Sequence, residues 1–103
     1  MFLYLPCQEV FKRGVNQPFT DLDVVLISNG KFIVGEVKSD PGGFAQADFE
    51  KLLEVAKEVR PDEVILSAPG EEWPPHVLTE IANFTESLRA YDVDVTPVLL
   101  RRR

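Results

Sequence analysis

Apolar positions along the chain follow two different periods. Between Thr20 and Ser39, TDLDVVLISNGKFIVGEVKS, they form two β-rich runs separated by Asn29-Gly30. That dipeptide is the strongest short-range hairpin signal, because both central positions of a type I′ turn need positive φ. With Asn29 and Gly30 as the loop, Ser28 pairs with Lys31, Asp23 lies opposite Glu36, and Asp21 lies opposite Lys38. One face then carries Val25, Ile27, Phe32 and Val34, and the other Leu22, Val24, Leu26, Ile33 and Val37. Apolar residues on both faces predict a central pair of strands covered on each side.

The remaining elements follow from the same reading. Phe2 to Phe11 has strand-like content, and Pro6 within it indicates an edge or a bend. Lys12 to Pro18 is loop chemistry. From Phe44 to Arg60 the apolar positions Phe49, Leu52, Leu53, Ala56 and Val59 recur at helical spacing, opposite a wet face of Glu50, Lys51, Glu54, Lys57 and Glu58. Ser39-Asp40-Pro41-Gly42-Gly43 leads into that helix, with Asp40 as a turn residue, and Pro61 closes it. Asp62 to Ala68 is a compact strand, parallel to the second hairpin strand if the two are neighbours, since a helix connects them. Pro74-Pro75 starts a second helix with an apolar stripe of Val77, Leu78, Ile81, Phe84 and Leu88, and Trp73 packs at its start. Val93 to Leu100 is the last strand, at a sheet edge because of Pro97. The expected fold is α/β, a mixed sheet with a central hairpin and helices packed on it, in the order β-β-β-α-β-α-β, as one domain over residues 1–103.

The hairpin register has a chemical consequence. It gathers the carboxylates of Asp21, Asp23 and Glu36 with the ammonium of Lys38 at one end of an otherwise apolar sheet. Like charges directly opposed destabilise a sheet by up to about 1 kcal/mol, and more where solvent is excluded. Lys38 can answer only part of that repulsion, and a divalent cation held between Asp23 and Glu36 would answer the rest. Mg²⁺ typically takes one or two carboxylates together with waters and phosphate oxygens.

Asp23, followed after a turn and an apolar strand by Glu36-Val37-Lys38, resembles the signature of the PD-(D/E)XK nuclease superfamily, which includes restriction endonucleases, Holliday junction resolvases and RecB-type nuclease domains. The resemblance covers roughly the first two thirds of the chain, where strand, hairpin, helix and further strand follow in the family's order. It implies a restriction endonuclease-like fold, with Asp23 and Glu36 as metal-binding acids, the carbonyl of Val37 as a backbone ligand, Lys38 as the lysine that helps activate the attacking water, and Mg²⁺ or Mn²⁺ as cofactor. Leu22 stands where the motif's name has proline. The helix that usually opens the family core is absent, which points to a minimal domain, a fragment, or a protein that needs a partner. Gln46, three residues before Phe49 and seven before Leu53, falls on the buried side of its helix. In several branches of the family a glutamine or lysine on this helix faces the metal, so Gln46 joins the candidates; the alternative is a polar residue at the edge of the core. Asp21 is an accessory candidate: a second metal ligand, a partner that holds Lys38, or simply an exposed residue at the strand start, with the pairing role favoured.

Composition narrows the function classes. No apolar run approaches the roughly 18 residues of a membrane span and no signal peptide is evident, so a cytoplasmic location is expected. The single Cys7 forms no internal disulfide and no zinc constellation, and reads as a small apolar strand residue; the lone His76 reads as a surface or capping residue. A net charge of −6 opposes a broad phosphate-binding surface. Several of the acids belong to the site itself, however, and Arg101-Arg102-Arg103 concentrates positive charge at one terminus, where a solvated run is the favoured reading over a phosphate contact. Lys12 and Arg13 are the internal candidates for holding a nucleic-acid backbone, although an exposed turn is favoured.

The function expected is metal-dependent hydrolysis of phosphodiester bonds, with DNA as the first expectation. The alternative is a catalytically silent nuclease-like domain, acting as a structural or partner-binding module in which the charges persist as an ion-pair network. An unrelated α/β interaction domain is a further rival. A homodimer or a larger protein partner that completes the site is also left open.

Overall fold

Asn29 and Gly30 turn the chain with φ of 52° and 80°, and the hairpin they close has the register that the dipeptide implies. Ser28 pairs with Lys31, Ile27 with Phe32, Leu26 with Ile33, Val25 with Val34 and Val24 with Gly35. These strands belong to a computed structural model that describes residues 3–5 and 23–101. Its elements are β1 (Leu3–Leu5), β2 (Val24–Ser28), β3 (Lys31–Val37), a 3₁₀ turn (Pro41–Gly43), α1 (Gln46–Val59), β4 (Glu63–Pro69), α2 (Pro75–Arg89) and β5 (Asp94–Leu100).

The strands form one mixed sheet in the order β1-β2-β3-β4-β5. β2 is antiparallel to both β1 and β3, whereas β3, β4 and β5 run parallel, each joined to the next through a helix. The order of elements is the expected one. Pro97 lies on β5, which among the described residues pairs only with β4, as an edge strand with a missing N–H requires.

Register explains where the core sits. Val25, Val34 and Val64 occupy one row, and Leu66 and Ala68 follow on β4 at the period of two that keeps side chains on one face. These five join Phe49, Leu52, Val55 and Ala56 of α1 and Val77, Ile81, Phe84 and Leu88 of α2 in a single buried cluster. Both helices therefore cover the same face. The rings of Phe49 and Phe84 meet edge to face at 5.6 Å and bridge the two helices. Phe44 and Trp73, with centroids 5.7 Å apart, close the cluster where the two helices begin.

Asp62 ties the parallel strands together at their amino ends. Its carboxylate accepts the Phe32 N–H at 2.7 Å, and its carbonyl accepts the Asp94 N–H at 3.0 Å. Two sequence expectations change. Leu78, assigned to the apolar stripe of α2, is half exposed, because the buried arc runs through Val77, Ile81, Phe84 and Leu88 and leaves Leu78 on the outer side. The hairpin is also less uniformly covered than its composition implies: Val25, Leu26, Ile33 and Val34 are buried, whereas Ile27 and Val37 at its two ends are 56% and 44% exposed. Among the described residues no helix is long and apolar enough to cross a membrane.

Candidate functional site

Glu36 is the second-last residue of β3 and shares its face with Val34, so it points toward the helix layer rather than into solvent. Only 5% of it is exposed. Across the sheet it is level with Leu66 of β4, and on its helix side it meets the first turns of α1. The apolar alternation of β3 places a carboxylate in a layer that otherwise holds valines.

Asp23 stands just beyond the last regular pair of the hairpin. Its N–H donates to the Gly35 carbonyl at 3.3 Å, and its Oδ2 accepts the Val37 N–H at 2.9 Å. The carboxylate thus takes a hydrogen bond that the β2 backbone would otherwise take, and the ladder ends on a side chain. Asp23 is exposed, yet close enough to act on Glu36 electrostatically.

Lys38 follows the end of β3, where its N–H continues the parallel ladder by donating to the Ser67 carbonyl at 2.9 Å. Its Nζ lies 3.6 Å from Glu36 Oε2 and 3.0 Å from Asp48 Oδ1. Asp48 is held in turn by its other oxygen, Oδ2, which accepts the Ala45 N–H at 2.8 Å where α1 begins. Ala45 has no side-chain oxygen with which to return that bond, so half of a capping box forms. Lys51, one turn further along α1, brings its Nζ to 3.5 Å from Glu36 Oε1. At that length it contributes charge without a well-formed hydrogen bond, and Glu36 Oε1 has no hydrogen-bond partner among the described residues.

The protonation tendencies follow from this packing. Burial pushes the Glu36 carboxyl above its ordinary value, the Asp23 charge adds to the shift, and Lys51 and Lys38 oppose it. The hydrogen bond to Asp48 raises Lys38 against the opposing effect of its own partial burial, so Lys38 remains an ammonium. Burial raises Asp48, but the Ala45 N–H and the Lys38 ammonium outweigh it and the net shift is downward.

The structure therefore brings Asp23, Glu36 and Lys38 together, with Val37 between the last two. It does not bring Gln46 to them. Gln46 opens α1 on an exposed face, its Nε2 donates to Glu50 Oε2 at 3.2 Å, and it borders a groove of about 120 Å³ between α1 and α2. Asp21 lies outside the described residues, as do Leu22, Cys7, Lys12 and Arg13. Among the described residues Lys38 is partnered by Asp48, which sequence reading missed together with Lys51. A signal for both existed in Val55, whose burial turns the inward arc of α1 toward positions 48 and 51. Asp40 is the turn residue expected, with Oδ1 accepting the Gly42 N–H at 2.7 Å, and His76 is exposed. Arg101 is exposed and leaves β5 at the end of the sheet where Glu36 and Lys38 stand, because β3 and β5 run the same way.

Chemically, the arrangement offers two carboxylates of unequal exposure, a fixed ammonium and a second cation behind them. Among the described residues no three His, Cys, Asp or Glu side chains converge on one point. The donors fit a hard cation of the Mg²⁺ type in a more limited sense. Two mutually repelling carboxylates, one with an unbonded buried oxygen, match an ion that retains waters and takes phosphate oxygens. A depression of about 440 Å³ lies at the other end of β5 against Arg89, Asp92 and Asp94, away from this cluster. No protein-family model, curated protein or solved structure matches the chain.

Proposed function

We propose that the protein is a Mg²⁺- or Mn²⁺-dependent nuclease of the PD-(D/E)XK kind, with a restriction endonuclease-like fold, that hydrolyses phosphodiester bonds of DNA. The observation that carries this reading is the convergence of Asp23, buried Glu36 and Lys38 at the carboxyl end of β3. In open α/β sheets that edge is where ligands bind. The order strand, hairpin, helix, strand agrees with the resemblance.

Asp23, Glu36 and the Val37 carbonyl are the groups that would hold the ion. When bound, such an ion supplies an acidified water and polarises the phosphoryl oxygens. Lys38 acts as a charge rather than as a base: kept protonated by Asp48, it orients the attacking water and offsets negative charge developing on the phosphate. Lys51 limits the repulsion between Glu36 and Asp23 while the site is empty of substrate.

One observation favours a second reading. Both oxygens of Glu36 already face lysines, at 3.6 and 3.5 Å, which is the geometry of a self-contained ion-pair network in a silent, partner-binding module. A single experiment separates the two. The protein is incubated with duplex, single-stranded and branched DNA and with RNA, in Mg²⁺ or Mn²⁺, beside Glu36→Ala and Lys38→Ala. Metal-dependent cutting that falls sharply in both variants supports the nuclease. A folded protein that neither cuts nor binds Mn²⁺ supports the module.

A further inference from the structure

Lys38 brings to the proposed site a compact charge on a four-carbon stem with three rotatable donors, so its direction depends on what holds it. Its contact with Glu36, at 3.6 Å, lies beyond hydrogen-bond range and sets no direction. Direction comes from Asp48, at 3.0 Å. Asp48 is itself tethered, since its backbone lies in the first turn of α1 and its second oxygen accepts the Ala45 N–H. On the other side, the Lys38 stem passes Gly43, where an added Cβ would make only ordinary contact with the Lys38 Cβ, at 3.5 Å. The head is thus directed by Asp48, and two of the three ammonium protons are left for Glu36 and for whatever enters the site.

We propose that Asp48 is a positioning residue for Lys38: from the start of α1 it sets where the ammonium stands relative to Glu36 and a bound phosphodiester, so cleavage depends on Asp48 through Lys38. The inference rests on the nuclease reading. It differs from a helix-capping role in a testable way. Asp48→Asn keeps an oxygen for the Ala45 N–H but turns an amide donor toward Lys38, so the cap survives and the hold on the ammonium does not. Asp48→Glu retains a carboxylate able to serve both.

The test is a double-mutant cycle on cleavage of the best nucleic-acid substrate, with the side-chain ammonium signal of Lys38 followed by NMR. Asp48→Asn is expected to lower kcat about tenfold or more with KM nearly unchanged, since a misplacement of about 1 Å can cost on the order of 10²-fold. Asp48→Glu is expected to recover most of that loss. In a Lys38→Ala background Asp48→Asn is expected to have no further effect. Additive losses in the cycle, or an Asp48→Asn protein with wild-type kcat, overturn the positioning role and leave the nuclease reading standing. A wild-type protein that cuts nothing sinks the nuclease reading instead. The ammonium signal then decides separately whether Asp48 holds Lys38, and a signal indifferent to Asp48→Asn overturns the inference in either case.

Discussion

The sheet contains two crossover units side by side, β3-α1-β4 and β4-α2-β5, and they differ in one respect. Each joins two seven-residue parallel strands through a helix, of 14 residues in the first and 15 in the second, and both pack that helix on the same face. The first unit ends its leading strand with Glu36-Val37-Lys38 and starts its helix with an acid bonded to that lysine. The second ends its leading strand with Ser67-Ala68-Pro69 and starts its helix on Pro75, with no acid in the first turn. A crossover therefore needs no charge at this position. The buried carboxylate of the first unit is an addition at the place where antiparallel β2 delivers Asp23, and its unfavourable burial asks for a functional reason.

Exchanging side chains at the two strand ends should break this comparison most sharply. Glu36→Gln is expected to lower metal-dependent cleavage by about 10²-fold or more, while Ser67→Ala, the adjacent strand end in the second unit, leaves it within about twofold. Equal losses would mean that the first unit carries no special chemistry. The link between the units comes next in size. Phe84→Ala removes the ring that meets Phe49 and is expected to cost about 3–5 kcal/mol in urea unfolding, because the site is enclosed and collapses poorly. A cost below about 1 kcal/mol would show that the helices do not depend on one another.

A smaller effect is expected where the second unit supports the first. A Cβ on Gly70 would lie 2.7 Å from Pro41 Cγ, in the turn that leads to Ala45 and Asp48. Gly70→Ala should cost about 1–3 kcal/mol by overpacking and should disturb cleavage as well. An unchanged melting temperature would show that the turn gives way freely.

The pH dependence sharpens the comparison through Glu36 alone. Its folded pKa lies above the ordinary 4.5, so the native state holds this proton more tightly than the unfolded chain does. The stabilisation is complete below about 4.5 and is lost as pH rises through the folded value. Asp48, shifted downward, has the opposite sign: its contribution is present above about 3.8 and is lost as pH falls. The advantage of Glu36→Gln over wild type in urea midpoint should therefore grow as pH increases from about 4.5 and then level off. A pH-independent difference would show that Glu36 is not desolvated. Least of all, Leu78→Ser on the outer side of α2 should change stability by no more than about 0.5 kcal/mol, whereas the stripe reading of the sequence would have made it costly.

Local rules account for what could be read without coordinates. Asn29-Gly30 set the hairpin register because only a turn with two positive φ values suits that dipeptide, and from the register came the nearness of Asp23 to the Glu36-Val37-Lys38 strand end. Proline and helical spacing marked α1, β4, α2 and the edge position of β5. Gln46 shows where such rules stop. Periodicity identified the inward arc of α1, but α1 has two neighbours, the sheet and α2, and period alone does not say which neighbour a given position meets. Gln46 borders the groove against α2, while Asp48 and Lys51, the latter assigned to the wet face, reach the end of β3. By itself the sequence determined the elements, their order and the hairpin's charge register, all consequences of contacts among near neighbours in the chain. Only the tertiary structure decided how deeply Glu36 is buried and which cations answer it. Those depend on which side chains of α1 meet the end of β3, and α1 packs in one core with α2 and β4, elements that follow it in the chain.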